Sequence, residues 1–242
     1  MECGDFLFPS SNSEGIPDLD INMQGDYVDF PLAWGSQART KSFAGKLIHF
    51  YVDDPRFNGM GNAVEYGAAF WKLWERPDKV WASTAPSFIE CNFSTSQSQP
   101  YAVALHQIYK KRFLSRYWQS RGMRCFVDLN VAPEWEELNL LGVPLGWRAY
   151  ATRVHRFTDL DLLIHQWELA CCHAGSEDLI FLVYGHRNEV KDLCARRGWV
   201  YLNEQEAVWQ KRNESKAMKR SLQTDIKIEE PKRHTMTLEA WI

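Results

Sequence analysis

Between Tyr101 and Leu202 the apolar pattern switches repeatedly between helical spacing and short apolar runs, and this alternation limits the chain to few folds. From Tyr101 to Arg121, Leu105, Ile108, Tyr109, Phe113 and Tyr117 recur on one face of a 3.6-residue period, and Gly122 supplies a stop. Met123 to Leu129 follows as an inner strand, and Arg148 to Val154 as another. Thr158 to Cys172 is an amphipathic helix with Thr158 and Asp161 as a capping box. Leu179 to Tyr184 is a buried strand, Asn188 to Arg197 a helix closed by Gly198, and Trp199 to Leu202 a last strand.

Upstream, Lys46 to Val52 is the first firm strand and stops at Asp53-Asp54-Pro55. Helical spacing over Ala63 to Glu75 ends at Pro77, and a short strand is expected at Val80 to Thr84. Strand-helix-strand grammar favours parallel pairing, so the expectation is an α/β fold: a mostly parallel sheet with flanking helices. With too few units for an eight-stranded barrel, an open sheet is favoured over a partly closed one.

The expected domain covers residues 41–209. Residues 1–40, rich in Gly, Ser, Asn, Asp and Pro, form an irregular leader packed on it, and residues 210–242 a polar tail with an apolar C-terminal peptide. Lys and Arg total 28 against 31 for Asp and Glu, so no global field draws the chain to nucleic acid or membrane, and any such binding is local. No apolar run is long enough for a membrane span. Cys3, Cys91, Cys125, Cys171, Cys172 and Cys194 form no CxxC pair and no zinc ladder, and with no secretory signal the expected compartment is the cytoplasm, with reduced thiols.

In α/β sheets ligands gather beyond the C-terminal ends of the strands. There the sequence places Asp53 and Asp54, Ser83 and Thr84, Asp128 and Asn130, His155 and Arg156, His186 and Arg187, and Asn203 and Glu204. Asp53, Asp128, His155 and His186 are the candidate catalytic set. With Mg²⁺ or Mn²⁺ they would suit a phosphoesterase or nuclease, although exposed loops carry such residues for no chemical reason. His49 and His106 lie within apolar patterns and read as core histidines. No HExxH, GxSxG, Walker A or GxGxxG motif is present.

A second candidate is nucleic-acid binding by the helix from Tyr101. Lys110, Lys111, Arg112, Arg116, Tyr117, Arg121 and, just beyond, Arg124 interleave cations with aromatics, though an amphipathic helix with a solvated basic face has the same pattern. A third is the tail, where Leu238, Trp241 and Ile242 follow a charged linker and suit docking to a host or phage protein, or folding back onto the domain.

Several segments together resemble a family of unknown function, number 4417, found in bacterial genomes, phages and other mobile elements. They are Ile16-Pro17, Ile48 to Asp53, Arg56-Phe57, Trp74-Glu75-Arg76-Pro77 and Pro86-Ser87-Phe88. The likeness continues through Tyr109, Arg112, Arg116, Tyr117, Trp118, Gln119 and Gly122, then Gly142-Val143-Pro144 and Val183-Tyr184-Gly185. The chain departs from the pattern at Ser87, where an acid is expected. The resemblance implies an α/β domain in a mobile-element context and brings no established activity. The leading expectation is a protein acting on or beside nucleic acid, with replication as the suggested setting and a partner held by the tail; the competing ones are the metal-dependent enzyme and an interaction protein without catalysis.

Overall fold

A computed structural model describes residues 8–26, 28, 31–33, 45–51, 77–78, 85–155 and 159–203. Its sheet contains β1 (Pro31–Ala33), β2 (Leu47–His49), β3 (Ser87–Ile89), β4 (Arg124–Asp128), β5 (Ala149–Arg153), β6 (Ile180–Gly185) and β7 (Val200–Asn203). Every neighbouring pair is parallel, and the order in space is the order in sequence. The α/β expectation therefore holds, and among the described strands the order never reverses, so those strands form no switch-point crevice.

The sheet is strongly curled. Flat strands spaced at ~4.8 Å would put β2 and β6 about 19 Å apart, yet the rings of His49 and Tyr184, one from each, are 4.5 Å apart between centroids. Among the described residues β1 does not pair with β7, so the sheet is open at its edges and barrel-like in its curl.

Residues paired across neighbouring strands share a face, and the register divides the side chains cleanly. Tyr150 pairs with Phe181, whose ring packs edge-on to Trp167. Phe88 pairs with Cys125 and meets Trp118, which also stacks on Phe50 at 5.3 Å. This is the outer face, covered by helices. The inner, concave face carries His49 and Tyr51, Ile89, Phe126 and Asp128, Ala151 and Arg153, and Leu182 and Tyr184.

The outer layer contains α1 (Tyr101–Ser120), α2 (Glu136–Leu140), α3 (Leu160–Ala174) and α4 (Asn188–Arg197). The helix starts and stops follow local chemistry. Pro100 precedes α1, where its missing N–H costs nothing. The cap of α3 is Asp159, whose side chain accepts from the Asp161 N–H, one residue later than the expected Thr158. Gly175 and Gly198 end α3 and α4 in the left-handed region.

Strand β3 and helix α2 were not expected; each is short, and three residues of β3 give too little pattern to read. The expected helix at 63–75, the strand at 80–84 and the tail lie outside the described residues.

The leader is more than a surface covering. Beyond contributing β1, it forms a 3₁₀ turn at Ile21–Met23, and Gln24 then bridges Cys125 in parallel at the N-terminal end of β4. The Gly25 N–H donates to the Cys125 carbonyl at 2.7 Å, and the Gln24 side-chain oxygen accepts from the Arg148 N–H at 2.7 Å. From α1, Gln119 accepts from the Asp20 N–H and donates to the Asp20 and Met23 carbonyls. A Cβ on Gly25 would lie 2.2 Å from the ring of Phe126, an inward-facing residue. The leader thus packs into the N-terminal end of the curl.

Candidate functional site at the strand C-terminal ends

The opposite end of the curl is polar. Asp128, the last residue of β4, is fully buried and accepts from the Tyr51 hydroxyl at 2.8 Å and from the Asn130 N–H at 3.1 Å on Oδ1. Lys111 of α1 reaches over the strand end and donates to Asp128 Oδ2 at 3.2 Å, to the Asp128 carbonyl at 2.7 Å and to Asn139 Oδ1 at 2.8 Å. Those three bonds use all the donors of an ammonium.

Beside it, Arg112 donates to Glu90 Oε1, to the Asn139 carbonyl at 2.5 Å and to the Leu141 carbonyl at 3.1 Å. Glu90 Oε2 in turn accepts from the Asp128 N–H at 3.2 Å. Two buried acids and two buried bases thus form one connected network, each acid facing a cation.

Next to this network lies a less satisfied group. His49 is 1% exposed, and both ring nitrogens lack a hydrogen-bond partner. Its ring lies between Tyr184, at 4.5 Å, and Tyr51, at 5.9 Å. Burial, helped by the positive charge of Arg153, lowers its pKa to about 3, so the imidazole is neutral at pH 7. Leaving a buried polar group unsatisfied costs about 1–3 kcal/mol, and such groups are rare in native cores. Burial and the Asp128 carboxylate raise Tyr51, and burial and Glu90 raise the Cys91 thiol. Cys91 is therefore no ready thiolate nucleophile.

The expected catalytic set divides. Asp128 is at the polar end but engaged internally. His155 is exposed and His186 half-buried, two residues beyond the inward-facing Arg153 and Tyr184. Asp53 lies outside the described residues. Among the described residues, no three His, Cys, Asp or Glu side chains are placed to hold a metal ion, so those residues offer no ligand set for the expected Mg²⁺ or Mn²⁺.

The nucleic-acid set is corrected in part. Lys111, Arg112 and Tyr117 are buried, the first two in the network above and Tyr117 with its hydroxyl on Asp78, so none can meet a phosphate or stack a base. The physical reason is that α1 is covered on two sides. One side packs on the sheet, and a second cluster of Ile16, Ala104, Ile108, Val131 and Leu138 covers another. Lys110 and Arg116, both half-buried, lie over the rings of Phe93 and Phe8. Arg121 pairs with Asp78 and Arg124 with Asp26. The docking residues Leu238, Trp241 and Ile242 lie outside the described residues.

His106 is exposed instead of buried. His49 is in the core as expected, but unsatisfied. Sequence reading overlooked Tyr51, Arg153 and Tyr184 because it looked just past the strands instead of at their last inward positions; Glu90, next to the inward-facing Ile89, lies on the helix-covered side and meets Arg112 of α1. The signal was available in the two-residue period His49, Tyr51 and in an arginine, Arg153, inside an apolar strand.

These features define a class: a singly wound, curled parallel α/β sheet with a leader at its N-terminal end and a polar mouth at the other. The family model described as a domain of unknown function, DUF4417, matches residues 8–146, more than half of the chain, and the chain belongs to that family. Among its relatives, the Gene 1 protein of Mycobacterium phage L5 is 27% identical over 191 residues, covering 77% of each protein. The Gene 1 protein of Mycobacterium phage D29 is 33% identical over 119 residues, which are 48% of this chain and 39% of that relative. The chain thus aligns with about two-fifths of the D29 protein's length. No solved structure matches.

Many of the residues that carry the likeness are joints. Gly142 lies against Pro17, the Trp118 indole donates to the Pro77 carbonyl at 2.9 Å, Gln119 holds the leader, and Arg112 holds Glu90.

Proposed function

We propose that this phage-family protein binds and transforms a small polar ligand in the mouth at the C-terminal ends of its strands. The observation that supports this most is convergence: the curl brings Tyr51 of the β2 end onto Asp128 of β4, and His49 of β2 onto Tyr184 of β6, so buried polar groups from distant strands meet on one concave face. Apolar residues of the same size would stabilise a core at lower cost, and polar groups gathered in a concavity are what binding sites are made of. The alternative, a basic helix reading nucleic acid, has lost Lys111, Arg112 and Tyr117 to the interior.

The two readings separate in one NMR experiment. A library of phosphorylated, carboxylated and neutral polar metabolites, and separately a single-stranded oligonucleotide, are titrated into the protein while the aromatic resonances of His49, Tyr51 and Tyr184 are followed. The expected result is that some small compounds shift these resonances saturably. If only the oligonucleotide binds, with steep salt dependence, loss in a Lys110→Ala, Arg116→Ala double variant and no change at the mouth, the helix is the site instead.

A further inference from the structure

We propose that His173 and Tyr150 form an acid-sensitive joint that holds the loop after α2 and, through it, the leader: protonation of His173 breaks the joint and loosens the leader's hold on that loop. The inference does not depend on what the mouth binds.

The joint starts from a buried hydroxyl. Tyr150 of β5 is fully buried, and its oxygen lies 2.9 Å from Nδ1 of His173, in the last turn of α3. Among the described residues that nitrogen is its one hydrogen-bond partner. Burial pushes the phenol pKa up, so the group keeps its hydrogen. A hydroxyl with one partner and no water donates to it, so Nδ1 carries a lone pair and His173 is neutral. An imidazolium has donors on both nitrogens and no acceptor. Once His173 is charged, its Nδ1–H can still meet the phenol oxygen, but the phenol hydrogen is left buried without an acceptor, which is costly.

The surroundings act in the same direction. Half-buried His173 has its pKa lowered by burial and by the positive charge of Arg112, from α1. The Val143 backbone favours the proton, as does any helix C-terminus, but the first two effects outweigh them. The acids nearest along the chain, Glu168 and Glu177, act on Cys171. A folded-state pKa below the ordinary 6.5 means that the stability held in this joint is complete above about pH 6.5 and is lost as the pH falls further.

The joint reaches the leader through one short loop. The Gly146 N–H donates to the His173 carbonyl at 3.2 Å, and Val143 bonds to the ring. Beside them, the Gly142 carbonyl accepts from the Leu19 N–H at 2.7 Å, and Gly142 lies against Pro17. The loop thus hangs between α3 on one side and the leader on the other.

The test follows the full chain by NMR from about pH 7.5 to 5.0. The His173 ring resonances give its titration midpoint, and the exchange protection factor of the Leu19 amide reports the bond to Gly142. The expected result is a midpoint below 6.5 and a protection factor that falls by about fivefold or more as the pH passes through it. His173→Gln still accepts the Tyr150 hydroxyl on its amide oxygen and does not titrate, so its Leu19 protection is expected to change by less than about twofold. Tyr150→Phe leaves the histidine free to titrate but removes the hydrogen that loses its acceptor; the midpoint rises toward 6.5 and the fall at Leu19 shrinks.

A His173 midpoint at or above 6.5 overturns the proposal. So does a Leu19 protection factor that ignores that midpoint, or one that falls equally in wild type and His173→Gln. If His173→Gln does not fold, the wild-type midpoints and Tyr150→Phe decide.

Discussion

Replacing Arg112 with methionine is expected to lower the unfolding free energy by about 3–5 kcal/mol, the range for removing one partner of a buried ion pair. The guanidinium is fully buried and holds Glu90 as well as two backbone carbonyls, those of Asn139 and Leu141. Without it, Glu90 must stay charged with no cation beside it or take up a proton, and the two carbonyls lose a donor. For a chain of this length the loss amounts to roughly 10 °C in Tm.

The double variant Glu90→Gln with Arg112→Met removes both charges and keeps an oxygen for the Asp128 N–H. It is expected to recover a large share of the loss, so that urea unfolding of the four proteins gives a coupling of about 2 kcal/mol or more. A single variant within about 0.5 kcal/mol of the wild type would show that the network carries little of the stability.

The second large effect is expected at Gly142. Its φ of 73° already disfavours a side chain, and a Cβ there would lie 2.2 Å from the Pro17 carbonyl oxygen. The obstacle is backbone and cannot turn aside as a side-chain end can. The same stretch is tied by the Leu19 N–H, which donates to the Gly142 carbonyl at 2.7 Å.

Gly142→Ala therefore has to push the leader off α2 and the loop after it, opening the cluster around Ile16. A loss of about 3 kcal/mol or more is expected, with new proteolytic cleavage within residues 8–26. Gly146 is the control. Its φ is 83°, but a Cβ there meets nothing within 4 Å, so Gly146→Ala should cost only about 1–2 kcal/mol of backbone strain. Equal losses at the two positions would refute the packing account.

These two residues also show what was legible in the sequence. The parallel α/β architecture could be read because β4 to β7 are short apolar runs between the helical periods of α1, α3 and α4, with Gly122 and Gly198 closing α1 and α4. Curl, by contrast, has no local signature. It shows in contacts such as His49 with Tyr184, which join residues far apart in sequence. The basic face of α1 was misjudged for a related reason: periodicity reveals one apolar stripe, but Lys111 and Arg112 are buried by partners that no pattern within the helix announces, Asp128, Glu90 and Asn139. The motif residues Pro17, Trp118 and Gly142 stood out in sequence as isolated points, and only their pairing in space explains them.

The leader's place at the N-terminal end of the sheet sets a schedule for synthesis. Asp20 and Gln24 are made early, but their partners Gln119 and Arg148 follow 99 and 124 residues later. At ~5–20 residues per second the wait for Arg148 is about 6–25 s. Throughout it the leader lacks the backbone N–H that its Gln24 side chain accepts from. The leader therefore leaves the ribosome before the residues that fix its place.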